Sequence, residues 1–371
     1  MEELVLFETR GRNDEIGVAT LVRERPLNSL LLETIELLSD QIYAWLADDK
    51  IRCIVLDSSS ERAFCAGADI TKLYHKIKAS DEPSTYADKF FLHEYRLDYA
   101  LHTANKPIIA WGNGIVMGGG LGLLGGCSHR IGTRTTRIAM PEITIGLFPD
   151  AGGTWFLSQL PDGLGDFAGL TGCQLSAADG LALGLLDVVV DAESKSAIFQ
   201  RLEQIEFTGT LASDKERITA GLSGFALREL PPQQLQAHRA VLSELVEACR
   251  SSDDYLGTFE EALSRLPEDD WLQGALRTYR NGSPLTAQIF VEQMRRAKKM
   301  SLAEMFRMEL AIAYRCARGE EFPEGVRALM VDKDKNPQWQ FSNYREVSRA
   351  VIEQHFEPSW TGAHPLADLG R

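Results

Sequence analysis

Apolar and polar residues alternate in LVLFETRG (4–11) and IGVATLVR (16–23), which predicts two strands in a hairpin with its turn in the polar run Asn13 to Glu15. The next segment, LNSLLLETIELLSDQIYAWLADD, repeats apolar residues at helical spacing, and Asn28 or Ser29 is placed to cap it. IRCIVLDSS then reads as a short apolar strand, ERAFCAGADI as a glycine-containing loop, YADKFFLHEYRLDYALHTAN as an amphipathic helix and KPIIAWGNG as another strand. Units of strand, strand and helix recurring in this order predict a mixed α/β core.

Further along, PEITIGLFPDAGG precedes the helical TWFLSQLPDGLGDFAGLTG, and SAADGLALGLLDVVV reads as a helix ending in a strand. Beyond about residue 205 strand signals nearly vanish. QQLQAHRAVLSELVEACR, GTFEEALSRL and SLAEMFRMELAIAYRCARG are all helical. The expectation is a mixed core over residues 1–205 and a helical region over 206–371.

At 371 residues the chain is long enough for a large domain with an appendage. A formal net charge of −14 argues against general affinity for nucleic acid, although an anionic substrate would still need a local basic pocket. Arg23, Arg25 and Lys72 are candidates for that contact, with a solvated surface charge as the plainer reading of each. The six cysteines are scattered, without a C-x-x-C pair or matching histidine spacing, which suits a reducing compartment and gives no metal signal. The acidic, alternating start resembles a first strand and not a secretory or transit peptide, so the expected location is cytoplasmic, or the mitochondrial matrix for a processed eukaryotic chain. Residues 107–128 lack any charge over a length that can span a bilayer. Their eight glycines, each costing about 1 kcal/mol against alanine in a helix, favour a buried strand, turn and helix instead, so no membrane contact is expected.

Within that stretch, MGGGLGLLGG admits two chemical readings. Gly120, Gly122 and Gly125 spell G-x-G-x-x-G after a strand, a dinucleotide fingerprint that a glycine-rich run also produces by chance. Alternatively, a helix beginning at Gly118 or Gly119 presents unpaired N–H groups to a substrate carbonyl, and the AFCAG turn supplies a second donor through Gly67 or Ala68. Two such donors make an oxyanion hole. Downstream, MPEITIGLFPDAGGTW sets the carboxylates Glu142 and Asp150 among Ile, Leu and Phe. An acid in such company is solvated, paired or used.

ERAFCAGADI, NGIVMGGG, PEITIGLFPDAGG and TGCQLSAADGLALGLLDVVV occur in the order and spacing of the enoyl-CoA hydratase/isomerase (crotonase) family, which residues 5 to 205 therefore resemble. The resemblance implies a spiral core of β-β-α turns binding an acyl-CoA, with the amides of Ala68 and Gly119 as oxyanion hole. Related hydratases carry a glutamate two residues after the triple glycine, and dienoyl-CoA isomerases an acid there as well, whereas this chain has Gly122. The Glu142 and Asp150 pair, the FFLHEY stretch with Glu94, and FPEGVRALMVDKDKNPQW near the C-terminus resemble the 3-hydroxyisobutyryl-CoA hydrolase branch instead.

That branch implies thioester hydrolysis, in valine catabolism, with CoA as part of the substrate and no separate cofactor or metal. Glu142 would attack the carbonyl or activate water, Asp150 would orient the 3-hydroxyl or the water, and Glu94, Ala66 and Gly67 would line the substrate. A hydratase or double-bond isomerase, and a non-catalytic binding protein of the same fold, remain as alternatives. So do structural roles: Glu142 capping a turn, Asp150 capping the TWFLSQL helix, and Glu94 pairing with His93 or Arg96. No G-x-S-x-G elbow or H-E-x-x-H pair is present, and Cys65 reads as a small packing residue. The family's core often forms trimers, so a homo-oligomer fits the reading, but the helical C-terminal region is placed to cover the usual interface.

Overall fold

The computed structural model describes residues 3–79 and 85–370. The chain divides into two compact units, the first formed by Met1–Ala68, Leu97–Ile138 and Leu175–Gln233, the second by Asp69–Arg96, Ala139–Gln174 and Gln234–Arg371.

The first unit is built on strands. β1 (Val5–Arg10) and β2 (Ile16–Leu21) form the expected antiparallel hairpin, with Val5 opposite Leu21 and Arg10 opposite Ile16. β3 (Cys53–Ser58) then pairs parallel to β2. β4 (Ala63–Cys65) follows within the ERAFCAGADI segment read from sequence as loop, being too short to show a period. β5 (Ile108–Gly112), β6 (Ile115–Met117), β7 (His129–Thr133) and β8 (Arg137–Ala139) repeat the pairing of a longer strand with a short one. β9 (Leu175–Ser176) and β10 (Val188–Val190) close the series.

The longer strands make one six-stranded sheet in the order β1-β2-β3-β5-β7-β10, parallel from β2 onward, and the short ones a second sheet in the order β4-β6-β8-β9. This is the β-β-α spiral expected from sequence. β3 and β5 are buried at every position, as parallel strands covered on both faces must be. Ile16, Val55, Ile109, Trp111 and Ile131 on the sheet pack with Ile198 and Leu202 of the Lys195–Leu202 helix, and with Ile218 and Leu222 of the Leu211–Ser223 helix.

The helical character beyond residue 205 is as read, and no strand follows β10 among the described residues. The spatial division, however, does not fall at that point. The Leu211–Ser223 helix belongs with the first unit because its apolar face is buried on the sheet, while residues 69–96 and 139–174 join the C-terminal helices in the second.

The first long helix runs over Leu32–Ala47, and neither Asn28 nor Ser29 caps it. Asn28 has φ 55°, and its side-chain amide donates to Ser58 Oγ at 2.8 Å and to the Phe64 carbonyl at 3.0 Å, which ties it to β3 and β4. Ser29 accepts from Arg23 Nη1 at 3.2 Å. In the second unit the Leu302–Arg318 helix opens with a capping box between Ser301 and Glu304. No described helix is long and apolar enough to cross a membrane; residues 107–128 hold β5, β6 and the Gly119–Gly125 helix.

Candidate active site

The sequence-predicted residues fall into two groups, one in each unit. In the first unit, parallel pairing of β4 with β6 sets Ala63 beside Ile115 and Cys65 beside Val116, so the turns that follow both strands leave the sheet at the same edge. One turn is Ala66-Gly67-Ala68 and the other Gly118-Gly119. Gly67 has φ +90° and Gly118 φ +52°, backbone states that exclude a Cβ without strain. A Cβ on Gly67 would lie 2.9 Å from the Met117 carbonyl and 3.4 Å from the Gly119 nitrogen, and one on Gly120 would lie 2.1 Å from the Cys65 carbonyl. The glycines are therefore what let the two turns touch.

Backbone hydrogen bonds fix the first turn. Ala66 N–H donates to the Leu27 carbonyl at 3.0 Å, and Gly67 C=O accepts from Leu30 N–H at 2.8 Å. Neither bond uses the Ala68 amide. Gly119 is the first residue of its helix, where an N–H has no acceptor within the helix. The Ala68 and Gly119 amides thus lie on two turns held in contact, whereas the Ala66 amide serves to anchor the loop. Gly122 lies buried in the same helix and supplies no acid. Cys65 is fully buried, with its sulfur 3.9 Å from the Gly67 carbonyl, a packing role. Arg23 Nη1 donates to the Ser29 carbonyl at 2.9 Å, and Arg25 and Lys72 are exposed.

In the second unit the carboxyls gather. Glu142 opens a short 3-10 helix, Glu142–Ile145, which Gly146 ends at φ +66°; a Cβ there would lie 2.4 Å from the Glu321 carbonyl. Glu142 is 5% exposed, and its Oε2 has no hydrogen-bond partner among the described residues. Burial first, and then the Asp150 charge, push its proton affinity well above that of an ordinary glutamate.

Asp150, 4% exposed, accepts the Tyr95 hydroxyl at 2.7 Å. Burial raises its pKa to about 6, and the Tyr95 hydrogen bond works against that rise. Asp150 does not cap the helix after it. The Gly153–Gln159 helix begins from Gly152 with no side-chain cap at that residue, and the N–H groups of Gly152 and Thr154 donate to the Glu309 carboxylate, each at 2.9 Å.

Glu94 is 2% exposed on the Thr85–His102 helix. Arg96, one of the two partners suggested for it, forms a bidentate pair with Asp368 at 2.8 and 2.9 Å. Tyr95 is fully buried, and desolvation, then the charges of Asp150, Glu309 and Glu94, hold its phenol protonated well beyond the usual range. Glu142, Asp150, Glu309 and the Tyr95 phenol thus share an interior in which ionising all of them together is unfavourable. Such an arrangement separates proton affinities and leaves a buried base with strong affinity for a proton.

Sequence reading missed Tyr95 and Glu309. Tyr95 follows Glu94 directly and looks like one more aromatic in an apolar helix; Glu309 is the single acid in the apolar run MELAIAYRCA, which was the available signal.

Similarity to known proteins fits this geometry. The model of the enoyl-CoA hydratase/isomerase family matches residues 16–356. The mitochondrial 3-hydroxyisobutyryl-CoA hydrolase of Gallus gallus is 34% identical over 356 residues, 95% of this chain and 89% of the relative. That of Homo sapiens is 32% identical over 96% of this chain and 89% of the relative, and 3-hydroxyisobutyryl-CoA hydrolase 1 of Arabidopsis thaliana is 31% identical over 95% and 91%. Among solved structures, a carnitinyl-CoA dehydratase from Mycobacterium thermoresistibile superposes with a TM-score of 0.83 at 31% identity, covering 96% of this chain and 97% of that one. With a family match along nearly its full length, and relatives above 30% identity over the same span, the chain belongs to the enoyl-CoA hydratase/isomerase family.

Proposed function

We propose that the chain hydrolyses a short 3-hydroxyacyl-CoA thioester, 3-hydroxyisobutyryl-CoA foremost, to the free 3-hydroxy acid and CoA, a step of valine breakdown. The observation that carries this reading is the unpartnered Oε2 of buried Glu142 beside Asp150. The relatives named for that hydrolysis, aligned over 95% of the chain, support it.

In this reading the thioester oxygen lies on the Ala68 and Gly119 amides, and Glu142 takes a proton from the attacking water or itself attacks the carbonyl carbon. The tetrahedral intermediate collapses by breaking the C–S bond, and the departing thiolate takes up a proton; where Glu142 is the nucleophile, water then cleaves the resulting acyl–Glu142 anhydride to give the free acid and restore the carboxylate. Asp150, aimed by Tyr95, orients the water or the substrate hydroxyl, and Glu94 lines the acyl pocket. Two amide donors stabilise the oxyanion by several kcal/mol in a dry site, and a positioned base adds roughly 10²–10⁴-fold. CoA enters as part of the substrate, and this chemistry calls for no metal or redox cofactor. A cytoplasmic location, or the mitochondrion named for the vertebrate relatives, suits six buried cysteines that form no disulfide among the described residues.

The second reading is hydration of an enoyl-CoA, favoured by the close superposition on the dehydratase and on an enoyl-CoA hydratase from Rhodobacter sphaeroides, also at a TM-score of 0.83 with 27% identity. Gly122 weighs against it, because hydration through two carboxylates lacks its second acid there. Thiol release from 3-hydroxyisobutyryl-CoA, compared between the native protein and Glu142→Gln, decides the matter. Release that the substitution lowers by roughly 10²–10⁴-fold, with KM little changed, is the expected result. No release, together with loss of the conjugated absorbance of crotonyl-CoA, would sink the hydrolase in favour of the hydratase.

A further inference from the structure

The turn that carries Asp150 offers that side chain a competing role. Ala151 and Gly152 both have positive φ, 51° and 81°, so the chain reverses sharply before the Gly153–Gln159 helix. The Gly152 N–H lies two residues beyond Asp150, within reach of an aspartate closing on its own backbone in an Asx-turn, a conformation this residue type favours. Asp150 in the sequence D-A-G-G-T is also the residue expected to cap the helix. Instead its carboxylate points to Tyr95.

What fills the vacated role is Glu309, fully buried on the Leu302–Arg318 helix. Its Oε2 accepts Gly152 N–H at 2.9 Å; its Oε1 accepts Thr154 N–H at 2.9 Å and the Thr154 hydroxyl at 2.5 Å. The Gln293 amide completes the frame, donating to the Pro149 carbonyl at 2.8 Å and to Thr154 Oγ1 at 2.5 Å. A carboxyl with three donors and no solvent is an unusual thing to keep inside a helix bundle. Burial raises its pKa to about 8, so it is held there against desolvation, and the donors only partly offset that cost.

We infer that Glu309 is a positioning residue: by occupying the Gly152 and Thr154 amides it keeps Asp150 off the Gly152 amide and aimed at Tyr95, and so available for the hydrolysis. The inference rests on the role given to Asp150 in the proposed function, and its test separates the two.

In Glu309→Gln the side-chain NH2 faces one of the two amides and cannot accept from it, so at least one N–H is released. A crystal structure of this variant is expected to show the Asp150 carboxylate turned away from Tyr95 and accepting Gly152 N–H. Asp150 remaining on Tyr95 overturns the inference whatever the substrate proves to be. Should Glu309→Gln not fold, Glu309→Asp, whose shorter carboxylate cannot span both amides, is examined in the same way.

Kinetics supply the second readout. Glu309→Gln is expected to lower kcat for thiol release roughly 10- to 100-fold with KM little changed, and to cost no more than about twofold on an Asp150→Asn background. Independent, additive losses in the double variant overturn the inference while leaving the hydrolase intact. Native protein that releases no thiol overturns the proposed function, and the crystal structure then decides the positioning role alone.

Discussion

The two halves of the candidate machinery reach their function by opposite means. In the proposed hydrolysis the working groups around Gly67 and Gly119 are backbone amides, and what places their turns is the removal of side chains: positive φ at Gly67 and Gly118, and contacts of the two turns so close that a single Cβ would intrude. Around Glu142 and Asp150 the working groups are side chains, and what tunes them is packing: burial, the Tyr95 hydroxyl and the neighbouring charges. The first half is a matter of geometry and holds at any pH. The second is a matter of proton affinity and has meaning only at particular pH values.

The contrast is sharpest under substitution. Gly67→Ala adds one methyl group at φ +90° with the Met117 carbonyl 2.9 Å away, so the turn must move and carry the Ala68 amide with it. Loss of one oxyanion donor costs roughly 10²–10³-fold in kcat, equivalent to about 3–4 kcal/mol of barrier, and this is the largest effect expected outside Glu142 itself. The pH at half-maximal rate should stay where it is in the native protein. A shifted pH profile for Gly67→Ala would show that the amide turn also sets proton affinity, and the comparison would fail.

The difference also explains what could be read in advance. The amide half was legible because its determinants are local: glycines at fixed places after short apolar strands. Even β4, mistaken for loop, left the turn at Gly67 where it was read, since the turn follows from the glycine and not from the length of the strand. The carboxyl half was legible in its members but not in their partners. Asp150 was given a helix cap as its alternative because that is what a local rule assigns; the actual acceptor, Glu309, comes from 157 residues beyond Gly152. Asn28 fails as a cap for the same reason, since Ser58 and Phe64 claim its side chain from across the sheet. Tyr95 went unread because nothing in a helix sequence tells which aromatic hydroxyl faces an acid.

The next effect concerns stability. Asp150 has its pKa raised from 3.8 to about 6 in the folded protein, so the native state holds more protons than the unfolded chain between these values. Stability then falls as pH rises from about 4 through 6, and above that the buried charge costs up to about 3 kcal/mol. Asp150→Asn removes the charge while keeping an oxygen for Tyr95. It is expected to stabilise the protein by about 1–3 kcal/mol at pH 8 and to give no gain near pH 4, as thermal unfolding at the two pH values will show. No gain at pH 8 would mean that Asp150 is not desolvated, and its place in the carboxyl half would be lost. Gly67→Ala, by contrast, should destabilise equally at both.

The smallest effect bears on the single bond that joins phenol to acid. Tyr95 stays neutral, so its O–H is always a donor, and it lowers the proton affinity of Asp150 by favouring the ionised form. Tyr95→Phe keeps the ring packed against Phe91 and Phe306, whose centroids each lie 6.0 Å away, and deletes only the hydroxyl. The Asp150 pKa must then rise above about 6, because the opposing hydrogen bond is gone while burial remains. Because the pair titrates jointly, the rising limb of kcat/KM should move to higher pH as a whole, with roughly a tenfold loss at pH 7 that shrinks toward alkaline pH. An equal loss at every pH would assign Tyr95 to orientation alone. A limb displaced toward acid would contradict the sign, and with it the view that burial is what sets proton affinity in this half of the site.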